Sequence, residues 1–170
     1  GSVKGVATGD MGVARDGILR PDTSAEALAR LRPVFGGSEG TMTAGNSTAL
    51  TDGAAVVLLA EESYAREHHW PVWARVVDAA VAASDYVTGR EDLLLAPTRA
   101  IPRLLERNGR GLGDFDLIEV HEAFAATVLA TLAGLEASGV GAVDRARLNV
   151  NGSSLAAGHP FAATGGRIVA

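Results

Sequence analysis

Apolar runs of strand length alternate with amphipathic helical patterns along most of the chain. The strand-like runs cover residues 54–60, 71–81 and 115–120, and the helical patterns that follow them cover residues 61–69, 97–108 and 123–135. Because connections between parallel strands cross over through helices, this order predicts a layered α/β protein. Aromatic residues make up only 5% of the chain, so we expect a core of closely packed aliphatic side chains.

Length, charge and cysteine content exclude several classes of protein. A chain of 170 residues fits one domain. Its net charge of −5 provides no basic surface to attract the phosphate backbone of a nucleic acid. No apolar run approaches the roughly 20 residues that span a bilayer, so we expect a cytoplasmic protein without a membrane span. The absence of cysteine excludes disulfides, thiolate metal sites and a cysteine nucleophile within these residues.

Two sequence patterns resemble ligand-binding motifs but lack their essential features. Ala125 stands where a His-Glu-x-x-His zinc motif starting at His121 needs its second histidine, so no metal site is expected. The glycines of residues 109–113 lie between a helix and a strand, which is the reverse of the strand-to-helix order of dinucleotide sites.

The four histidines fall into two groups. His68 and His69 end a helix that is rich in Glu and Arg, and we expect both to be solvated. His121 and His159 lie in loops next to apolar elements, where α/β enzymes place catalytic groups. Both also fit a structural role, in which His121 hydrogen-bonds a neighbouring carbonyl and His159 caps a loop. Spacing alone leaves both interpretations open.

Three segments together closely resemble the thiolase family. They read GTMTAGNSTALTDGAA from Gly40 to Ala55, HEAFA from His121 to Ala125, and NGSSLAAGHPFAATGGR from Asn151 to Arg167. The resemblance runs from about Thr23 to the end of the chain. It implies half of a five-layered α/β/α/β/α fold that is built from two similar halves.

The resemblance also implies how the chain is organised. Residues 1–40 would be the end of the loop region that leads into the second half, and residues 41–170 would be the C-terminal domain, which stops before the family's final Cys-x-Gly-Gly-Gly segment. A cysteine of the first half would attack the substrate, so the chain alone is expected to be inactive. We therefore expect the missing N-terminal half as a partner, in a homodimer or homotetramer.

Site residues follow from the same resemblance. The family's catalytic histidine matches His159, which would activate the cysteine and help to hold the thioester oxygen. His121 stands where many thiolases carry an asparagine, and it would support the oxyanion. The positions that match contacts to the pantetheine arm of coenzyme A are Phe35, Ala44, Thr48, Ala123 and Phe124.

The motifs resemble β-oxidation thiolases more than short-chain biosynthetic ones. The implied activity is therefore acyl transfer from 3-ketoacyl-CoA to coenzyme A, with coenzyme A as a substrate and no tightly bound cofactor. A short-chain acetyl-CoA acetyltransferase is one alternative. The other is a non-catalytic module of the thiolase fold that acts in assembly or lipid carriage, which the lack of cysteine favours.

Overall fold

The computed structural model describes residues 16–90 and 92–170 of the chain. Within these residues it contains six α-helices and four short 3₁₀ helices. The α-helices are α1 (Ala25–Ala29), α2 (Glu62–Glu67), α3 (Pro97–Arg107), α4 (Ala125–Ala137), α5 (Ser154–Ala157) and α6 (Phe161–Val169). The 3₁₀ helices are Gly37–Glu39, Leu93–Leu95, Leu112–Asp114 and Arg145–Arg147.

Local patterns predicted most of the helices. The patterns at residues 61–69, 97–108 and 123–135 correspond to α2, α3 and α4, and the helix that starts after Pro160 is α6. The N-cap of α1 is Ser24, whose hydroxyl accepts a hydrogen bond from the Ala27 N–H at 3.1 Å. The turn α5 was not predicted.

The core lies where α3 packs against α4. Leu135 of α4 is only 1% exposed, and Leu105 of α3 and Leu132 of α4 are also buried. Gly134 lets the two helices approach closely, because a Cβ there would lie 2.9 Å from Cγ2 of Thr98. This pair of helices anchors the segment that leads into α4, which carries His121.

The three predicted strands did not form, and this part of the sequence analysis was wrong. In the described parts of the chain, β pairing is limited to isolated bridges, and residues 54–60 and 71–81 have no regular secondary structure. Within residues 115–120, Ile118 alone forms a bridge, with Leu148.

The physical reason is that a strand takes its hydrogen bonds from a neighbouring strand. The described residues provide no neighbouring strand beside these apolar runs. Their side chains therefore remain exposed, at 89% for Val56 and 91% for Trp73.

A loop of residues 40–53 connects the parts of the structure that carry the two loop histidines. Backbone hydrogen bonds order this loop. The Thr48 N–H donates to the Ala123 carbonyl and the Ala125 N–H donates to the Asn46 carbonyl, each at 2.9 Å. At its far end, the His159 N–H donates to the Ala49 carbonyl at 2.8 Å.

Membrane-spanning helices and clusters of metal-binding side chains are both absent from the described residues. None of the helices in residues 16–90 and 92–170 is long and apolar enough to cross a bilayer. The same residues contain no group of three or more His, Cys, Asp or Glu side chains arranged to hold a metal ion.

Candidate active site

His121 is positioned by the backbone pairing of two segments. The Ile118 N–H donates to the Arg147 carbonyl, and the Asn149 N–H donates to the Ile118 carbonyl, both at 2.9 Å. These bonds place the residues after Ile118 alongside the loop that leads into α5. His121 therefore faces the same region as α5, although 33 residues separate it from Ser154.

The side chain of Asn149 holds the residues on both sides of His121. Its Oδ1 accepts from the Val120 N–H at 2.7 Å, and its Nδ2 donates to the Val120 carbonyl and to Oε1 of Glu122, each at 2.9 Å. Oε2 of Glu122 accepts from the Leu155 N–H at 3.1 Å. Asn149 has a φ of 47°, a left-handed conformation that asparagine tolerates better than most residues. This clamp fixes the backbone that carries His121.

His159 is positioned by the glycine before it and by the loop of residues 40–53. Gly158 has φ 83° and ψ 178°, a region that essentially only glycine occupies. A Cβ at this position would also lie 2.4 Å from Cγ2 of Thr51. Because the backbone of Leu50 bridges that of His159, Gly158 and Thr51 together set where the imidazole emerges.

The two imidazoles lie against each other. The ring centroids of His121 and His159 are 4.2 Å apart, with 41° between the ring planes. Phe161 contacts the imidazole of His159 edge-on, and the two ring centroids are 4.5 Å apart. The two histidines that the family resemblance singled out therefore lie in one region of the molecule.

Each imidazole has a hydroxyl group at its Nδ1. Nδ1 of His121 lies 2.8 Å from Oγ of Ser154, and Nδ1 of His159 lies 2.8 Å from Oγ1 of Thr164. Both hydroxyl residues are buried, Ser154 completely. Since each Nδ1 is engaged, each ring presents its Nε2 as the atom that can meet a substrate.

Burial and charge act on the protonation of His121. Burial lowers the pKa of His121 because it penalises the imidazolium, and the neighbouring His159 and Arg167 act in the same direction. The carboxylate of Glu122 opposes them and raises the pKa, but it contributes least. His121 is therefore biased towards the neutral form, which can donate one hydrogen bond and accept another.

Comparison with known proteins identifies the family. The family model of the thiolase C-terminal domain matches residues 70–170, and that of the thiolase N-terminal domain matches residues 3–63. The chain belongs to the thiolase family. The two matches meet between residues 63 and 70, whereas the sequence analysis placed the boundary at residues 40 and 41, and that boundary remains a prediction.

Named thiolases are similar over most of this chain. The 3-ketoacyl-CoA thiolase of Pseudoalteromonas atlantica is 43% identical over 166 residues, which cover 91% of this chain and 37% of that protein. The crystal structure of the Bacillus anthracis acetyl-CoA acetyltransferase superposes with a TM-score of 0.80 at 40% identity, over 91% of this chain and 36% of that one. Human mitochondrial 3-ketoacyl-CoA thiolase in complex with CoA gives a TM-score of 0.74 at 33% identity, with the same coverage of 91% and 36%.

These similarities confirm the predicted thiolase fold. They also show that the chain spans less than two-fifths of the length of these relatives. The strands that did not form are consistent with this, because a thiolase segment of this length carries only part of the layered sheet.

The other predicted site residues of this thiolase chain lie in different surroundings. Thr48, Ala123 and Phe124 lie together, because Ser47 bridges Phe124 and the hydroxyl of Thr48 donates to the Ser154 carbonyl at 2.6 Å. Ala44 lines a groove of about 530 Å³, whose other walls include Leu28, Ala49 and Leu155. Phe35 is not among the described residues that line this groove, and its side chain is 67% exposed.

Sequence reasoning missed the residues that hold the two imidazoles. Asn149, Ser154 and Thr164 all contact or flank a site histidine, and Arg167 donates to Oγ of Ser154 at 2.9 Å. Three of these four lie inside the motif that runs from Asn151 to Arg167, so the family resemblance pointed at the segment. Nothing in a single sequence shows which of its polar side chains turn inwards.

Proposed function

We propose that this chain is the histidine-bearing part of a 3-ketoacyl-CoA thiolase. The observation that carries the proposal is the contact between the rings of His121 and His159, which come from segments 38 positions apart and meet beside the loop of residues 40–53. Two imidazoles at one position suit a reaction in which a thiol must lose a proton and a carbonyl oxygen must gain negative charge.

The proposed chemistry divides into two half-reactions. A cysteine thiolate attacks the 3-keto carbon, the bond between C2 and C3 breaks, and acetyl-CoA leaves after its C2 is protonated. The acyl group stays on sulfur as a thioester until the thiol of a second coenzyme A displaces it. His159 takes the cysteine proton, and His121 donates a hydrogen bond to the oxygen that carries the developing charge.

The nucleophile has to come from outside these residues, because the sequence contains no cysteine. We propose that the part of the thiolase N-terminal half that lies outside this chain supplies it, since residues 3–63 match only a segment of that domain without cysteine. The 170-residue chain by itself is then inactive, since the covalent route needs that sulfur.

Coenzyme A would approach along the groove beside the loop of residues 40–53. The groove has a volume of about 530 Å³ and is lined largely by aliphatic side chains, which suits the apolar parts of a pantetheine arm. Ala44 and Ser47 line this groove, Ser47 bridges Phe124, and we propose that Thr48, Ala123 and Phe124 contact the pantetheine arm beyond it. Phe35 keeps its proposed contact with the pantetheine arm only if the ligand extends to that exposed ring. Coenzyme A acts here as a substrate, and no tightly bound cofactor is proposed.

The test uses the protein expressed from the complete reading frame that contains this sequence. His159→Ala should lower kcat for thiolysis by a factor of 100 or more, on the order of the loss of a general base. His68→Ala is the matched control, because His68 is an exposed histidine at the C-cap of α2, and it should leave kcat unchanged. Near-normal turnover in His159→Ala would refute the proposal.

A short-chain acetyl-CoA acetyltransferase is the second enzymatic candidate. It is favoured by the close structural match to a protein of that name. The two candidates differ in the room that they offer to the acyl chain, so kcat/KM for acetoacetyl-CoA and for a long-chain 3-ketoacyl-CoA separates them. A role in β-oxidation requires activity on the long-chain substrate.

A non-catalytic assembly or lipid-carrier module is the candidate from another class. The absence of cysteine favours it. It predicts that a complete reading frame also lacks a cysteine-bearing thiolase half, which sequencing of the flanking DNA decides.

Assembly and location complete the proposal. The apolar side chains of Val56, Trp73 and Val81 are each about nine-tenths exposed, and covering such side chains is favourable. We propose that the other thiolase half and a second copy cover them, in a cytoplasmic homodimer or homotetramer. Light scattering on the complete protein measures the number of copies, and a monomer would contradict this assembly.

A further inference from the structure

The hydroxyl of Ser154 connects His121 to a fixed positive charge. Its Oγ lies 2.8 Å from Nδ1 of His121 and 2.9 Å from Nη2 of Arg167. Ser154 is 0% exposed, so its hydroxyl proton has no access to solvent. Buried hydroxyl groups donate to an acceptor in nearly all cases, because an unused donor costs free energy.

Counting donors and acceptors around Ser154 decides where that proton goes. A guanidinium has only donors, so Arg167 must donate to Oγ. Among the contacts of the described residues, Nδ1 of His121 is then the acceptor that remains for the serine proton. We infer that Ser154 and Arg167 are positioning residues that lock neutral His121 as the tautomer with its proton on Nε2, so that this ring always donates towards the reaction.

The corresponding contact of His159 is not locked. Oγ1 of Thr164 lies 2.8 Å from Nδ1 of His159, but it also lies 3.3 Å from the Pro160 carbonyl, a second acceptor. The threonine can therefore donate to either atom, and His159 can hold its proton on either nitrogen. When the threonine donates to the Pro160 carbonyl, its Oγ1 can accept from Nδ1–H of His159, and Nε2 is then free to take a proton, as a general base requires.

The charges around His121 support the same tautomer. The groups that act on its titration are His159 on the loop before α6, Arg167 on α6 and Glu122 beside it on its own segment. Burial and the neighbouring His159 and Arg167 lower the pKa of His121, which keeps the ring neutral, and a neutral ring that accepts at Nδ1 must carry its proton on Nε2. The catalytic consequence rests on the proposed function, but the tautomer itself does not.

The tautomer can be measured directly in the unaltered protein. Histidine labelled with ¹⁵N is incorporated into the protein from the complete reading frame, and solid-state NMR separates protonated from unprotonated ring nitrogens. The signals of His121 are assigned by their loss in His121→Asn. We expect protonated Nε2 and unprotonated Nδ1 at pH 8. A protonated Nδ1 would overturn the inference.

Ser154→Ala tests the lock through its effect on titration and turnover. Removing a donor to the neutral ring should raise the pKa of His121 by about half a unit to one unit, which histidine C2–H exchange measures by mass spectrometry. His121 and His159 fall on different tryptic peptides, residues 111–145 and 148–167, so each ring is followed separately. We also expect kcat to fall by about ten- to hundredfold, the range for outer hydrogen bonds that orient ligating histidines, without a change in KM for coenzyme A.

Ser153→Ala is the matched control, because Ser153 is a buried neighbour whose hydroxyl does not contact either imidazole. It should change neither the pKa of His121 nor kcat, while Ser154→Thr keeps the hydroxyl and should restore part of the turnover. An unchanged or lowered pKa in folded Ser154→Ala would overturn the lock. If the unaltered protein has no thiolase activity, the proposed function fails, and the NMR and pKa results still decide the tautomer.

Discussion

Replacing Gly158 with alanine tests whether the backbone before His159 sets the position of that ring. Gly158 has φ 83° and ψ 178°, where a side chain costs about 1–3 kcal/mol. The added Cβ would also lie 2.4 Å from Cγ2 and 2.8 Å from Oγ1 of Thr51, an overlap that costs about another 1–3 kcal/mol when neighbours have to move. We therefore expect Gly158→Ala to lower the free energy of unfolding by about 2–6 kcal/mol.

A second glycine, on the N-terminal side of α5, provides the control. Gly152 has φ 78°, but nothing lies within 4 Å of a Cβ placed there. Gly152→Ala should therefore cost only the backbone contribution, about 1–2 kcal/mol. Adding Thr51→Ser to Gly158→Ala removes the closest clashing atom and should recover part of the difference.

The assay is urea denaturation followed by circular dichroism, with thiolysis measured on the same samples. Gly158→Ala should also lower kcat more than Gly152→Ala, because Thr51 and His159 are displaced together. Equal losses of stability in the two variants would refute the assigned contact between Gly158 and Thr51.

Three further predictions concern the clamp, the core and pH. Asn149→Ala should lower the free energy of unfolding by about 1–3 kcal/mol and should lower kcat, because it breaks hydrogen bonds on both sides of His121. Asn149→Gly also removes the side chain but tolerates the φ of 47°, so the difference between the two variants gives the backbone contribution. Leu135→Ala should lower the free energy of unfolding by about 2–5 kcal/mol. Leu129 is 51% exposed, so Leu129→Ala should lower it much less. Equal urea midpoints for the two variants would contradict the assigned core. Burial lowers the pKa of His121 below the ordinary histidine value of about 6.5, so near that pH the unfolded chain binds more protons than the folded chain. The free energy of unfolding should therefore fall as the pH falls from above that value through the pKa of the folded state. His121→Asn should flatten this slope in urea titrations between pH 5 and pH 8, on the order of the window set by that ordinary value, and an unchanged slope would count against the assigned burial.

The two candidate site histidines could be found from the sequence, but their surroundings could not. His121 and His159 stand in short motifs whose residue order is visible in one chain. The contacts that orient them join His121 to Ser154, 33 positions away, and Ser154 to Arg167, 13 positions away. Contacts between residues this far apart depend on how distant segments pack together, so no local sequence pattern reveals them.

The sequence by itself determined the helices, the cysteine-free composition and the family. Helices α3, α4 and α6 follow from local spacing because their hydrogen bonds join residues four apart in the chain. The apolar runs at residues 54–60 and 71–81 have strand-like composition, but a strand needs a partner that the described residues do not provide. Only the tertiary structure decided that the two imidazoles meet at 4.2 Å and that a buried serine lies between one of them and Arg167, because these contacts depend on distant segments packing together.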